Sequence, residues 1–247
     1  MSSTPVRPQK TAMLLAQRIV GDINRRGNTV GDRLPPERIM LEDYEVGRGT
    51  LRESLRFLES QGVISLKPGP GGGPVVQHPD ATSLATSLTL LLQFADAPFR
   101  TIAEARSGLE PMLAQARGRV SCPTSRLAAL EASVDNMHDH LDDQTVLQEE
   151  SRRFHHVIAH GCGNPILGYL VDALLGILDD SAIGVDHHEV RRSAVHQAHL
   201  AIYEAIARRD PSASAAAMQD HVHQHLRYAE EKFPDVLSAP VVWGNGS

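Results

Sequence analysis

The chain has 247 residues, of which 41% are hydrophobic and 22% charged, and its formal net charge at pH 7 is −6. These values are ordinary for a globular protein, and the length is sufficient for two modest domains. The most apolar stretch is too short for a membrane span and the first residues do not form a signal peptide, so we expect a cytoplasmic protein. Cys122 and Cys162 fit no CxxC pattern, and no disulfide is expected.

The charge is unevenly distributed along the chain. Residues 1–78 contain 11 Lys and Arg against 8 Asp and Glu, a net charge of +3, whereas residues 79–247 contain 13 against 22, a net charge of −9. Such a distribution allows the first third of the chain to bind phosphate groups while the remainder stays acidic.

Residues 11–76 predict three helices followed by a β-hairpin. The first helix covers residues 11–26, and residues 34–58 form two shorter helices joined by a tight turn at Glu45-Val46-Gly47, where Gly47 can accept a positive φ. In the third helix three leucines recur at steps of four and three and should be buried, while Arg48 and Arg52 lie on one flank of this stripe. Residues 63–66 predict a strand that turns through 67–74 and returns at 75–76.

This layout is typical of a winged helix-turn-helix, in which the second helix of the motif enters the DNA major groove. The stretch also resembles the FadR-type members of the GntR family of bacterial transcription regulators. The matching segments are Leu34-Pro35-Pro36-Glu37-Arg38, Val46-Gly47-Arg48-Gly49-Thr50-Leu51-Arg52-Glu53, Leu58-Glu59 with Gly62, and Lys67-Pro68-Gly69.

The resemblance implies a DNA-binding role for six residues. Four of them, Arg38, Arg48, Thr50 and Arg52, correspond to positions that contact DNA in the family, and Lys67 and Gly69 correspond to the wing that approaches the minor groove. Gly47 and Gly49 replace small hydroxyl residues that usually hold phosphates, so main-chain N–H groups could supply these contacts. The alternative is that the arginines only form surface salt bridges with Glu42, Glu45 or Glu53.

The rest of the chain predicts helices without one convincing strand. Asp80 is expected to cap a helix that ends near Phe94, with Leu84, Leu88, Leu91 and Leu92 as its apolar face. Further helices are expected at 100–119, 123–141, 144–161, 165–182, 188–208 and 212–231, and residues 234–247 as a frayed tail. The predicted fold is therefore mainly α, with a winged helix-turn-helix at 10–78, a linker helix and loop at 79–98, and an antiparallel bundle of six or seven helices at 99–232.

The helical region resembles the ligand-binding and dimerisation domain of the FadR-type regulators. The matching residues are Glu104-Ala105-Arg106 with Leu109-Glu110, Arg153-Phe154-His155, Gly163-Asn164-Pro165, His199 with Ala205-Ile206 and Asp210, and Met218 with His221. By this resemblance His155, His199 and His221 occupy three of the four positions that hold a divalent metal in the family, and Ser151 replaces the aspartate expected at the fourth.

Three imidazoles are a competent ligand set for zinc or nickel, and the alternative is that they are ordinary core histidines. Glu150 is turned about 100° from Ser151 and could reach inward only with distortion. His156 and His160 also have a spacing that can bind metal, but a surface face is favoured for them. We expect seven further histidines on the surface, at His138, His140, His187, His188, His196, His223 and His225.

Arg106 is the candidate effector-binding residue. The resemblance directs it toward the cavity of the helical domain, where a guanidinium can hold a carboxylate by two hydrogen bonds. The alternative is a structural ion pair with Glu110, which lies four residues further along the helix.

The sequence is therefore interpreted as a regulator of a class that most often represses, which binds double-stranded DNA at a palindromic operator as a homodimer and responds to a small organic acid. No enzyme and no membrane partner are expected. One alternative is a metal-dependent enzyme with a site at His155, His199 and His221, although no HExxH motif is present. Another is a dimerising DNA-binding module without an effector.

Overall fold

The computed structural model describes residues 8–69, 71–119, 124–178 and 189–244, which form eleven helices and one two-stranded sheet. The predicted mainly α fold class is thereby confirmed. The chain divides into two compact units, Met1–Ser83 and Leu84–Ser247. Four residues for which the sequence made predictions, Pro70, Cys122, His187 and His188, lie outside the described residues.

The first unit contains three helices and a hairpin. They are α1 (Pro8–Arg26), α2 (Glu37–Tyr44), α3 (Arg48–Ser60), β1 (Ile64–Lys67) and β2 (Gly73–Val76). The predicted stripe of α3 is buried, because Leu51, Leu55 and Leu58 are at most 2% exposed. They pack with apolar residues of α1, α2 and both strands, chiefly Leu15, Ile19, Met40, Ile64 and Val76. Buried Ser54 completes this contact, since its hydroxyl donates to the carbonyl oxygen of Ala12 in α1 at 2.8 Å.

The turn between α2 and α3 places its left-handed residue at Glu45. Glu45 has a φ of 54°, whereas Gly47 has an extended conformation with φ of −75°. Glu45 is the residue that ends α2, a position often left-handed at helix C-termini, so the positive φ that Gly47 can accept is not used. Gly47 is instead the residue directly before α3.

The hairpin has a third segment that the sequence did not reveal. β1 and β2 are antiparallel with Ile64 opposite Val76 and Lys67 opposite Gly73. Residues 31–34 run along the other edge of β2, where the amide of Leu34 donates to the carbonyl of Pro74 at 2.9 Å. Pairing on both edges holds β2 in place, and the wing therefore has a fixed base.

The second unit is a bundle of helices around one main core. After α4 (Thr82–Phe94) it contains α5 (Arg100–Arg119), α6 (Thr124–Asp139), α7 (Gln144–His160), α8 (Pro165–Ile177), α9 (Glu189–Ala207), α10 (Pro211–Lys232) and α11 (Pro234–Ser238). Leu113, Phe154, Ile202 and Met218 are among the fully buried residues of this core. The bounds of α5, α7, α9 and α10 agree with the prediction to within one residue at each end.

Helix α4 is less covered than its pattern indicated. Asp80 caps it as predicted, since its carboxylate accepts from the amide of Thr82 at 2.9 Å. However, no residue of α4 is buried, and Leu91 is 67% exposed. Of the predicted apolar face, Leu92 packs against a smaller cluster that includes Ile102 and Val241.

The C-terminal segment is ordered where a frayed tail was expected. Residues 234–238 form α11, and Leu237 and Val241 are 3% and 1% exposed. The following residues pair with the α4–α5 loop, where the amide of Val241 donates to the carbonyl of Ala97 at 2.9 Å. The prediction of a frayed tail from residue 234 was wrong. Leu237 and Val241 anchor the segment, but two apolar residues are too few to produce a helical period in the sequence.

Candidate nucleic-acid interface and metal centre

The N-terminal half of α3 presents its polar flank outward. Arg48 and Arg52 are exposed, while Leu51 and Leu55, each three positions further along, are buried. Arg52 makes an ion pair with Glu37 at 3.2 Å, with side chains 64% and 43% exposed. Arg48 pairs with no acidic residue that the structure describes. Because such exposed pairs contribute at most about 1 kcal/mol, Arg52 can exchange Glu37 for another anion at little cost.

Arg38 and Thr50 lie on the same motif in different settings. Arg38 is exposed on α2 and forms a surface ion pair with Glu42 at 3.1 Å, which is one of the pairs considered as an alternative to DNA contact. Thr50 is partly buried in the first turn of α3. Neither position is blocked by packing, and the DNA-binding roles of both stay predictions.

The first turn of α3 offers main-chain donors. Gly47 begins this helix without a side-chain cap. Both Gly47 and Gly49 are exposed, and the first N–H groups of a helix have no partner within it. Such a helix end attracts phosphate oxygens, so this geometry supports main-chain contacts in place of the missing hydroxyl groups.

The wing places its two predicted residues near the hairpin tip. Lys67 ends β1 and is exposed, and Gly69 follows with φ of 91°, a conformation that glycine adopts without strain. The amide of Leu66 donates to the carboxylate of Glu59 at 2.8 Å, which joins the wing to α3. Both elements of the predicted interface therefore belong to one packed body.

In the second unit three histidines from three helices meet in the core. His155 of α7, His199 of α9 and His221 of α10 are 3%, 0% and 5% exposed. Their Nε2 atoms are 3.2 to 3.3 Å from one another. The sequence had placed these three residues together, and the structure brings together all three as one group of potential metal ligands.

In two of these histidines, the contact made by the second ring nitrogen, Nδ1, determines which nitrogen carries the proton. Nδ1 of His155 is in contact with Oε2 of Glu110, and Nδ1 of His199 lies 3.1 Å from Sδ of Met137. Acceptors at these positions favour a proton on Nδ1 and leave Nε2 as a lone pair directed at the common centre.

Burial keeps two of the three imidazoles neutral. Burial lowers the pKa of His199 well below its usual value, and the charge of His155 lowers it further. Burial also lowers the pKa of His221, again with a contribution from its histidine neighbours. Neutral imidazoles are the form that binds metal ions.

Glu110 is a functional residue that the sequence did not assign to the histidine cluster. It is 2% exposed and forms an ion pair with Arg106, whose Nε lies 2.5 Å from Oε1. Burial raises the pKa of Glu110, but the charge of Arg106 and the hydrogen bond from His155 outweigh it, so the net pKa lies well below the usual range. The sequence did contain one indication of its position, because Glu110 lies one helical turn after Arg106 on the inner face of α5.

A cavity of about 70 Å³ adjoins this cluster. Its lining includes Arg106, Ser151 and His221. Arg106 forms the ion pair with Glu110 that was considered as the alternative, and it also lines the cavity, so its effector-binding role stays a prediction. Ser151 lies on the cavity side of α7, as the replaced aspartate would, whereas Glu150 accepts from Asn136 at 2.9 Å on another side of that helix.

The remaining histidines mostly agree with the prediction. His138 and His140 are exposed and His223 and His225 are half-buried. His196 was expected on the surface and is 5% exposed, because its ring stacks in a tilted arrangement on His138, with 5.2 Å between ring centroids. Because histidine is polar, the sequence pattern did not indicate that His196 lies on the inner face of α9.

Cys162 is a free thiol and is half-buried. Its Sγ lies 3.4 Å from the amide nitrogen of Asn164. No helix in the described ranges combines the length and apolar composition needed to cross a bilayer.

The exposed arginines of a winged helix-turn-helix, together with a separate helical unit whose cavity is lined by Arg106 and His221, are typical of the class of DNA-binding proteins with a ligand-binding domain. Comparison with known proteins places the chain within that class. Residues 12–72 match the family model of bacterial regulatory proteins, gntR family, and residues 101–224 match the FCD domain. The chain therefore belongs to the GntR family of transcription regulators and carries the FCD effector-binding domain of the FadR type.

Similar proteins share this organisation over most of their length. The chain is 26% identical to the HTH-type transcriptional repressor NanR of Citrobacter rodentium over 90% of this chain and 86% of that protein. It is also 26% identical to the HTH-type transcriptional regulator YcbG of Bacillus subtilis, over 92% of this chain and 91% of that protein. Among solved structures, Streptococcus agalactiae GntR matches with a TM-score of 0.66 and 26% identity, covering 87% of this chain and 99% of that one.

Proposed function

We propose that the protein is a repressor that binds a palindromic operator as a homodimer in the cytoplasm and is released by a small carboxylate bound in its helical unit. The observation that carries this proposal is the position of Arg106, which lines the cavity beside His221. One site thus combines a guanidinium, which binds carboxylates directly, with an imidazole that would hold a metal ion to which a carboxylate can bind. The similarity to the repressor NanR supports repression as the mode of action.

DNA recognition is assigned to the exposed flank of α3. Arg48 and Arg52 would contact base edges in the major groove, where arginine pairs with guanine through two hydrogen bonds. Arg38, Thr50 and the main-chain donors of the first turn of α3 would contact phosphates, and Lys67 and Gly69 would approach the minor groove. Two copies related by a twofold axis would bind two such half-sites, which is why a palindrome is proposed.

The histidine cluster is suited to one divalent ion. Nitrogen separations of 3.2 to 3.3 Å fit three ligands around a cation with bonds of about 2.0 to 2.1 Å. Three lone pairs facing each other in a dry core are unfavourable unless a positive charge lies between them. Zinc or nickel would be held by His155, His199 and His221, and the absence of the usual aspartate at Ser151 leaves room for an effector carboxylate on that side.

The effector is proposed to be a small organic acid. A cavity of about 70 Å³ limits its size, and Gln148, Arg152 and His225 add polar groups to the lining. Arg106 would hold the carboxylate, and the metal would supply a Lewis-acidic contact. For release to occur, the effector must prefer the conformation with low DNA affinity, since equal affinity for both conformations shifts nothing.

The experiment is a titration of the operator complex with a panel of short carboxylates, followed by fluorescence anisotropy of labelled DNA, with added zinc and again after chelation. We expect one class of acid to weaken operator binding, and chelation to reduce its effect. The key variant is Arg106→Lys, which keeps the charge beside Glu110 but loses the planar fork. It should require at least about tenfold more effector, corresponding to roughly 1.4 kcal/mol.

The matched control is Arg119→Ala, which removes an exposed arginine at the end of the same helix. This variant should respond to the effector as the unmodified protein does. If no carboxylate at saturation changes operator affinity, the effector-controlled function is wrong and a DNA-binding module without an effector becomes the better interpretation. An enzyme is disfavoured because Glu110, which contacts His155, is already engaged by Arg106 and is not available as a general base.

A further inference from the structure

A second group of metal-ligand side chains lies on the outer side of the α7–α8 hairpin. His156 and His160 are one helical turn apart on α7, and Asp172 faces them from α8. Nδ1 of His156 is 3.0 Å from both carboxylate oxygens of Asp172, and Nε2 of His160 is 2.7 Å from Oδ2. Two imidazole nitrogens and a carboxylate oxygen therefore converge within bonding range of a single ion.

The position of His160 depends on close packing against α8. A methyl group at Gly168 would lie 2.8 Å from Nδ1 of His160, so any larger residue there would displace the ring. Tyr169 contacts the same ring edge to face, with 5.2 Å between centroids. Gly168 and Tyr169 thus hold Nε2 of His160 toward Asp172, and the cluster is fixed by more than the attraction between its charges.

The outer cluster is distinct from the buried histidines. His156 follows His155 directly but projects about 100° away from it around the helix. The side chains of His156, His160 and Asp172 are 51%, 24% and 19% exposed, whereas that of His155 is 2% exposed. A half-open site of this kind retains access for water, which can complete the coordination of a bound ion.

We propose that His156, His160 and Asp172 form a second binding site for a divalent transition-metal ion of the zinc type. Two histidines and one carboxylate with an open position make a ligand set that zinc uses in proteins. Borderline cations such as zinc, nickel and copper are favoured by imidazole, whereas magnesium and calcium prefer oxygen ligands alone. The ion takes the place of the protons that now join the two rings to Asp172.

Occupation of this site would join α7 to α8. Both helices pack into the main core, and α7 also carries His155, so the ion would stabilise the hairpin that supports one of the buried histidines. Because a metal that binds only the folded chain raises its stability by mass action, zinc should raise the melting temperature through this site as well.

The test counts zinc bound to the full-length chain. The protein is stripped with a chelator, dialysed to equilibrium against zinc, and its metal content is measured. We expect His156→Ala and Asp172→Asn each to lose one equivalent of zinc relative to the unmodified protein. His140→Ala, which removes an exposed histidine outside both clusters, should keep the full number.

The two metal sites can be separated in the same experiment. In a His221→Ala background, which removes a buried ligand, the outer equivalent should persist and should disappear when Asp172→Asn is added. Far-UV circular dichroism checks that each variant is folded. If His156→Ala does not fold, Asp172→Asn still tests the site, because asparagine has the same shape as aspartate. The proposal is overturned if the folded His156→Ala and Asp172→Asn variants bind as much zinc as the parent, or if His140→Ala loses zinc to the same extent.

Discussion

Glu110 connects the charged lining of the cavity to the buried histidines. Arg106 and His155 contact its two carboxylate oxygens, and the charge of Arg106 together with the hydrogen bond from His155 lowers its pKa despite the burial that acts to raise it. The carboxylate is therefore ionised at neutral pH and directs the proton of His155 to Nδ1. A carboxylate behind a ligating histidine fixes the ring and increases its basicity.

Glu110→Gln should weaken zinc binding at the buried histidines by about 10- to 100-fold, because an amide neither carries the charge nor fixes the tautomer of His155. Competition with a chelating dye measures this change, in the Asp172→Asn background so that the outer cluster does not contribute. Glu104→Gln, an exposed position on the same helix, is the control and should leave the affinity unaltered. Equal affinities for both glutamine variants would show that Glu110 serves only as the ion-pair partner of Arg106.

At the scale of elements, a side-chain hydrogen bond joins α1 to α2. The hydroxyl of Tyr44, at the end of α2, donates to the carboxylate of Asp22 in α1 at 2.8 Å. This bond lowers the pKa of Asp22. Burial, together with Asp22, raises the pKa of Tyr44 from 10.0 to about 12. The contribution of Asp22 to stability is therefore present above its unfolded pKa of 3.8 and is lost as the pH falls further, whereas that of Tyr44 is present below pH 10.0 and is lost as the pH rises to about 12.

Tyr44→Phe should destabilise the first unit by roughly 1 kcal/mol at neutral pH, the usual contribution of one partly exposed hydrogen bond. Hydrogen–deuterium exchange of α1 peptides reports this local loss, which should shrink as the pH falls below 3.8, where Asp22 takes up a proton in the unfolded chain. A double-mutant cycle that combines Tyr44→Phe with Asp22→Asn separates the Tyr44–Asp22 interaction from the ion pair between Asp22 and Arg25. Additive effects in that cycle would argue against a coupling through this bond.

The elements also show which features the sequence could predict. The leucine stripe of α3 and its outward arginines follow from a helical period, and period is visible in a single sequence. The burial of His196 and the anchoring of Val241 depend on contacts with distant residues, which no local pattern records. The three buried histidines came from a family resemblance, whereas the contacts of Glu110 with His155 and of Asp172 with His156 and His160 became recognisable only once the helices were packed.

For the whole molecule, the separation of charge bears directly on DNA binding. The positive excess lies in residues 1–78, and the acidic remainder gives the chain its net charge of −6. Association with a polyanion then depends on where the basic residues lie and not on the total charge. Because the proposed repressor is a homodimer, each substitution in the first unit would remove two DNA contacts from one complex.

Arg48→Ala and Arg119→Ala test this argument, since they remove the same charge from the two units. Arg48→Ala should weaken binding to an operator selected from random duplexes by roughly 1–3 kcal/mol per contact, counted twice in a dimer, and should relax the preference at the contacted base pair. Arg119→Ala, at an exposed position of α5, should leave affinity and preference as they are. Equal losses of operator affinity in the two variants would mean that DNA binding follows total charge. If Arg48→Ala bound the operator as tightly as the unmodified protein, α3 would not be the helix that contacts the bases.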